Sequence, residues 1–116
     1  ASDPDVVAAL AFMWDHIGDD VSVEDIVEEV GVSRRKLERA FAQELGRGIW
    51  EEYSARRLEK ARELLVMTDQ PIAEVAEAMG FSSQSHFGRA FKKGFEMTPR
   101  QCRVEAQKER KAKNKN

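Results

Sequence analysis

The chain has 116 residues, with 19 basic against 21 acidic side chains, three Pro, seven Gly and one Cys, which is the size of one small domain. A lone Cys102 excludes an internal disulfide and a Cys-based zinc site, and the uncharged stretch from Val6 to Trp14 is far too short to span a bilayer. A cytoplasmic protein with no membrane partner is expected.

The first segment opens with Asp3 as N-cap and Pro4 at the first helical position, then carries Val6, Val7, Leu10, Phe12, Met13, Trp14 and Ile17 up to Gly18. Ser22 and Asp25 have the spacing of a capping box before a two-turn helix with Ile26, Val27 and Val30, stopped by Gly31. Ser33 caps a third helix, in which Leu37, Ala40, Phe41 and Leu45 recur at helical spacing before Gly46. From Gly48 to Met67 no Pro interrupts, and Trp50, Tyr53, Leu58, Ala61, Leu64 and Leu65 predict one long helix. Thr68 to Pro71 is a turn cluster opening a short fifth helix with Ile72, Val75, Ala76 and Met79, ended by Gly80. Ser82 is expected to cap a sixth helix bearing Phe87, Ala90, Phe91 and Phe95, and Thr98-Pro99 to open a last one through Cys102 and Val104.

Period-two alternation is absent, so the expected class is all-α with seven helices. The expected organisation is an N-terminal helix with a first helix-turn-helix over 1–46, a linker helix over 47–67, a second helix-turn-helix with the last helix over 68–106, and a tail over 107–116. That tail has five Lys or Arg, one Glu and no large apolar residue, a composition that predicts disorder.

Internal similarity is the strongest signal. Val23, Ile26, Val27, Val30, Gly31, Val32 and Ser33 match Ile72, Val75, Ala76, Met79, Gly80, Phe81 and Ser82 at an offset of 49. After a shift of one, Leu37, Arg39, Ala40 and Phe41 match Phe87, Arg89, Ala90 and Phe91 at an offset of 50. Each unit is a short helix, a Gly followed by an apolar residue and Ser, and a second helix, the pattern of a helix-turn-helix. Gly31 and Gly80 suit the positive φ of a tight turn, and Val32 and Phe81 would plug the angle between helices.

At about 100° per residue, Leu37, Ala40, Phe41 and Leu45 share a face, and Arg35 and Arg39 lie nearly opposite. In the second unit Phe87, Ala90, Phe91 and Phe95 face the core, leaving Ser85, Arg89 and Lys92 opposite, with Gln84 and Gly88 on the flank. Arg pairs with guanine O6 and N7 and Gln with adenine, so these residue types suit the major groove. On a single helix such groups merely solvate the outer face; their recurrence in two related units points to double-stranded DNA. The connecting helix supports this, since about 20 residues at 1.5 Å span roughly 30 Å, close to the ~34 Å between successive major grooves on one side of the duplex.

The balance of charge is consistent with that partner. Residues 1–30 hold nine acidic and no basic side chains, whereas residues 31–116 hold 19 basic against 12 acidic ones. Base contacts are assigned to Arg35, Glu38, Arg39, Gln84, Ser85, Gly88 and Arg89. Glu38 can accept from cytosine N4 or pair with Arg34 or Arg35; the second is preferred. Gly88 would contribute close approach without readout. Phosphate contacts are assigned to Ser33, Arg34, Lys36, Ser82, Ser83, His86, Lys92 and Lys93, aided by helix N-termini.

The chain resembles the two-helix-turn-helix DNA-binding domain of the AraC/XylS family of bacterial transcription regulators. The resemblance covers about Val6 to Val104, and rests most on Ile72 to Phe81 followed by Ser83, Phe87, Arg89, Phe91-Lys92 and Thr98-Pro99-Arg100. Val30 to Ser33 with Leu37, Arg39, Phe41, Gly46, Arg56 and Leu58 fits as well. Leu58 to Arg62 with Leu64-Leu65 is similar to the xylose-operon type. The family implies transcription control, commonly activation, by effector-responsive operon regulators, with carbohydrate use as one setting. It also implies an effector-binding domain beyond this chain; RNA polymerase or that domain would be the partner of the acidic first helix if the chain acts as an interaction module. Cys102 stands where the family usually has an aromatic residue.

An enzyme is not expected. Cys102, His16 and His86 form no nucleophile motif, no His or Cys pair has metal-ligand spacing, and no cofactor is implied. The four Met together with Trp14 and Trp50 are expected in the core. A helical protein-interaction module remains the alternative, with Asp15, Asp19 and Asp20 facing a partner.

Overall fold

The computed structural model describes residues 2–114. Among them seven α-helices follow in order: α1 (Pro4–Asp15), α2 (Val23–Val30), α3 (Arg34–Leu45), α4 (Ile49–Met67), α5 (Ile72–Ala78), α6 (Gln84–Phe95) and α7 (Pro99–Asn114). None is long and apolar enough to cross a membrane. The chain divides into two compact units, residues 1–56 and 57–116, with the boundary inside α4.

In the first unit Asp3 Oδ1 accepts from the amides of Asp5 and Val6 ahead of Pro4, so the start of α1 is set by its cap. Ser22 and Asp25 form the expected reciprocal capping box. The core gathers Val6, Ala9 and Met13 from α1, Ile26 from α2, Leu37, Ala40 and Phe41 from α3, and Ile49 and Tyr53 from α4. Tyr53 lies fully buried with its hydroxyl 3.0 Å from the His16 carbonyl and 3.1 Å from that of Asp19, tying the α1–α2 loop to α4. Glu44 of α3 accepts from the Asp3 amide at 2.7 Å, which draws its carboxyl below the usual range.

In the second unit α4 buries Ala61 and Leu65, α5 Val75 and Ala76, α6 Phe87 and Phe91, and α7 Cys102 and Ala106. Phe81, Phe87, Phe91 and Phe95 run as a chain of tilted ring contacts with centroids 4.7–5.6 Å apart, in the range where aromatic pairs attract beyond their buried area. Thr98 and Gln101 cap α7 reciprocally.

Three expectations are corrected. The tail is helical as far as Asn114; Gln, Lys, Arg, Glu and Ala are strong helix formers, Ala106 gives that stretch a buried anchor, and Lys111 and Lys113 complement the dipole at its end. Residues 115 and 116 lie outside the described residues. Ser83 rather than Ser82 caps α6, its Oγ accepting from the His86 amide at 3.0 Å. Finally, Trp14, Trp50 and Met67 are 55%, 46% and 70% exposed. The packed face of α1 is Val6, Ala9 and Met13, and Trp14 projects well round the helix from it.

α3 and α6 also end differently. The C-cap of α3 is Gly46 at φ 72°, whereas that of α6 is Glu96 at φ 60°, a left-handed conformation that costs a residue with a Cβ about 1–2 kcal/mol. Glu96→Gly is therefore expected to stabilise the protein by about 0.5–1 kcal/mol after the extra chain entropy of glycine, and Gly46→Ala to destabilise it by at least about 1 kcal/mol. Urea unfolding midpoints moving in the same direction for both would contradict this.

Candidate nucleic-acid interface

Each unit builds its second helix in the same way. Ser33 Oγ accepts from the Lys36 amide at 3.1 Å, as Ser83 does from His86. Gly31 and Gly80 turn the chain at φ 81° and 80°, where a Cβ would be strained. The second helices correspond residue for residue at an offset of 50, Arg34–Leu45 to Gln84–Phe95. The single shift in the repeat thus lies in the turn, where the second unit carries one more residue.

With Leu37 and Phe41 buried, Arg35 and Arg39 project to solvent; with Phe87 and Phe91 buried, Gln84, Ser85 and Arg89 do so. The assigned base-contacting groups are thus collected on one exposed face of each helix. A Cβ on Gly88 would meet nothing within 4 Å, so that position is bare for reasons other than packing against its own unit.

The groups assigned to phosphate are more varied. Arg34 Nη1 donates to Glu24 Oε1 at 2.6 Å, and Lys36 Nζ lies 3.6 Å from Asp5 Oδ2. Arg34 thus turns to α2, correcting its expected pairing with Glu38; the Glu38 carboxylate lies towards Gly48. The Arg34–Glu24 pair sits largely in solvent and contributes little, while in the second Asp5 is partly buried. Ser82 Oγ is 3.4 Å from His86 Nδ1, and the His86 ring meets Phe81 edge-on. Lys92 and Lys93 lie exposed in the last turn of α6.

Two supporting groups escaped the sequence reading. Glu52, 3% exposed, accepts from Arg47 Nε and Arg56 Nε, each at 2.6 Å. Burial pushes its carboxyl up, but the two guanidinium groups outweigh that and hold it below the usual range. The i,i+4 spacing of Glu52 and Arg56 was a local clue. Arg57 Nε donates to the Met79 carbonyl at 2.8 Å, and its guanidinium stacks 4.4 Å from the Phe81 ring centroid. It braces the turn of the second unit from α4, and a contact across 22 residues leaves no local trace.

The enzymatic alternative finds no support at its three residues. Burial pushes the Cys102 thiol up, against the pull of Arg62 and Arg103, which suppresses the thiolate a nucleophile needs. His16 Nδ1 is bound to Asp19 Oδ2 at 3.0 Å, and His86 is occupied as described.

Two short-turn helix pairs, each offering a solvent-facing second helix with cations and hydrogen-bonding groups, define a tandem helix-turn-helix DNA-binding domain. The family described as a helix-turn-helix domain matches residues 26–105. Over 102 residues the chain is 35% identical to the xylose operon regulatory protein of Escherichia coli K12, covering 88% of this chain and 26% of that one. It therefore spans about a quarter of that relative's length. A crystal structure of an AraC-type regulator from Chromobacterium violaceum superposes with a TM-score of 0.87 at 40% identity, covering 90% of this chain and 94% of that one. The DNA-binding domain of AdpA, solved with a target DNA, superposes at 0.84 with 26% identity, covering 94% and 97%. The chain belongs to the AraC/XylS family of helix-turn-helix transcription regulators. It is a sequence-specific DNA-binding domain.

The Glu52 network gives a pH signature. Its folded pKa lies below the unfolded value of about 4.3, so the stability it contributes is complete above that value and is lost as pH falls through the folded pKa. Glu52→Gln is expected to cost about 1–3 kcal/mol at neutral pH, with the gap to the parent protein narrowing on acidification below about pH 4. Chemical denaturation across pH checks this; a gap that stays constant down to pH 3 would contradict it.

Proposed function

We propose that this domain binds as a monomer to a bipartite, non-palindromic site, placing α3 and α6 in successive major grooves. The observation that carries the reading is that the two helices share length and N-cap chemistry while differing in their exposed residues: Arg35, Glu38 and Arg39 on one, Gln84, Ser85, Gly88 and Arg89 on the other. Like scaffolds with unlike faces suit two different half-sites. Arg35, Arg39 and Arg89 would pair with guanine O6 and N7, Gln84 with adenine, Ser85 with either, and Glu38 with cytosine N4. Gly88 would let the bases or backbone approach α6. Ser33, Arg34 and Lys36 would hold phosphates at the first half-site and Ser82, Ser83, His86, Lys92 and Lys93 at the second. The length of α4, about 28 Å at 1.5 Å per residue, supports engagement about one helical turn apart.

Similarity to xylose operon regulators supports a place in an effector-responsive, carbohydrate-linked activator, acting in the bacterial cytoplasm. An effector-binding domain of the same protein and RNA polymerase would be its partners.

Selection of sites from a random duplex pool at near-physiological salt is expected to yield two dissimilar short motifs with centres about 10 bp apart. Arg39→Ala and Arg89→Ala should each relax preference in one motif only, at a cost of about 1–3 kcal/mol, whereas Lys92→Ala should weaken all sequences alike and lower the salt slope by about 0.9. A single motif, or selectivity untouched by both Arg substitutions, would overturn the bipartite assignment. Absence of salt-dependent DNA binding would favour the interaction module.

A further inference from the structure

α7 continues well past its packing contacts, and its exposed side is not neutral. At about 100° per residue, Arg100, Gln107 and Lys111 fall within about 40° of one another, with Lys108 about 60° further round; all four are exposed. The acids of the helix begin beyond Lys108: Glu105 lies about 60° further round, with its carboxylate 3.9 Å from Lys108 Nζ in an exposed pair, and Glu109 about 40° beyond that. Glu105 and Glu109 line a hollow with Arg62, Phe95 and Cys102, next to the face by which α7 packs in its unit. Asp69, outside α7, borders a hollow shared with Gln107 and Lys111.

The stripe also begins at the candidate interface. Arg100 borders one depression together with Gln84 and Gly88 of α6, which places this residue beside the helix assigned to the second half-site. α7 is held there: Arg103 Nε donates to the Leu65 carbonyl at 3.1 Å, and Cys102 and Ala106 are buried. From Arg100 to Lys111 the stripe covers about 17 Å of the helix axis at 1.5 Å per residue, enough to meet more than one consecutive phosphate along a strand.

Resting on the DNA-binding reading above, we infer that the outward stripe of α7, from Arg100 through Gln107 and Lys108 to Lys111, is an additional phosphate-tracking surface that extends the DNA contact of the second unit along the backbone. Its partner is the sugar-phosphate chain of duplex DNA, met without regard to base sequence. The cations Arg100, Lys108 and Lys111 on one side and the continuity with Gln84 and Gly88 favour that occupant over an acidic protein, and the exposed Lys108–Glu105 pair is weak enough for a phosphate to replace.

The test uses the whole chain and a duplex bearing the selected site with at least one helical turn of flanking DNA on each side. Fluorescence anisotropy across 50–200 mM salt compares the parent with Arg100→Ala and with Lys108→Ala/Lys111→Ala. Each variant is expected to bind more weakly, to lower the salt slope by about 0.9 per phosphate contact removed, and to keep the parent's order of preference among related sites. Arg100→Lys and Lys111→Arg, which keep the charge, should keep the slope. Unchanged slopes in both alanine variants, with sequence preference intact, would overturn the α7 contact while leaving the bipartite reading in place. Loss of preference together with slope would overturn it too, by showing that α7 merely supports α6. A parent protein without salt-dependent binding would bring down the DNA reading and this proposal together.

Discussion

The chain turns between the helices of each unit through a left-handed residue, Gly31 at φ 81° and Gly80 at φ 80°, and the positioning of both exposed helices follows from those turns. A Cβ at either position would be strained. Ser33 and Ser83 then start α3 and α6 by accepting from the amides three residues on. Once the start is fixed, helical periodicity leaves no freedom: burying Leu37 and Phe41, or Phe87 and Phe91, turns Arg35 and Arg39, or Ser85 and Arg89, to solvent. The exposed faces of α3 and α6 are in this sense a consequence of the caps and turns.

The connecting helix contributes rigidity through polar groups placed where apolar ones would be expected. Tyr53 meets two carbonyls of the α1–α2 loop, Glu52 gathers Arg47 and Arg56, and Arg57 holds the Met79 carbonyl while stacking on Phe81. Such groups are costly to bury alone and well satisfied only in one arrangement. They specify the packing of each half of α4 against its own unit more narrowly than methyl groups of the same volume would.

Electrostatics distinguish the two units. The acidic first thirty residues supply Glu24 and Asp5 as partners for Arg34 and Lys36, so two cations of the first unit are already paired within it. The second unit has Lys92 and Lys93 exposed near the end of α6 and a cationic stripe on α7. Exposed pairs contribute little to stability, and the net field that attracts a polyanion is stronger around the second unit.

Caps, helix periods and the repeat were legible because each is encoded within a few residues: Asp3 before Pro4, Ser22 with Asp25, apolar positions three and four apart, and two copies of one pattern. The all-α class, the seven helices and the exposed faces of α3 and α6 follow from these alone. The helical tail was equally local, in the helix propensity of Lys, Arg, Gln and Ala, but a reading weighted to apolar content passed over it. Tertiary structure decided what depends on distant neighbours. Trp14, Trp50 and Met67 have the composition of core residues and lie exposed, because α1 and α4 present other sides to their units. Glu52 and Arg57 have the composition of surface residues and lie buried, the latter because its carbonyl and ring partners stand on the far side of a turn. Sequence by itself determined where helices begin, end and face, since backbone hydrogen bonding and side-chain period act over one or two turns. Only the folded chain decided which of those faces find a partner, since burial is settled by packing between segments remote in sequence.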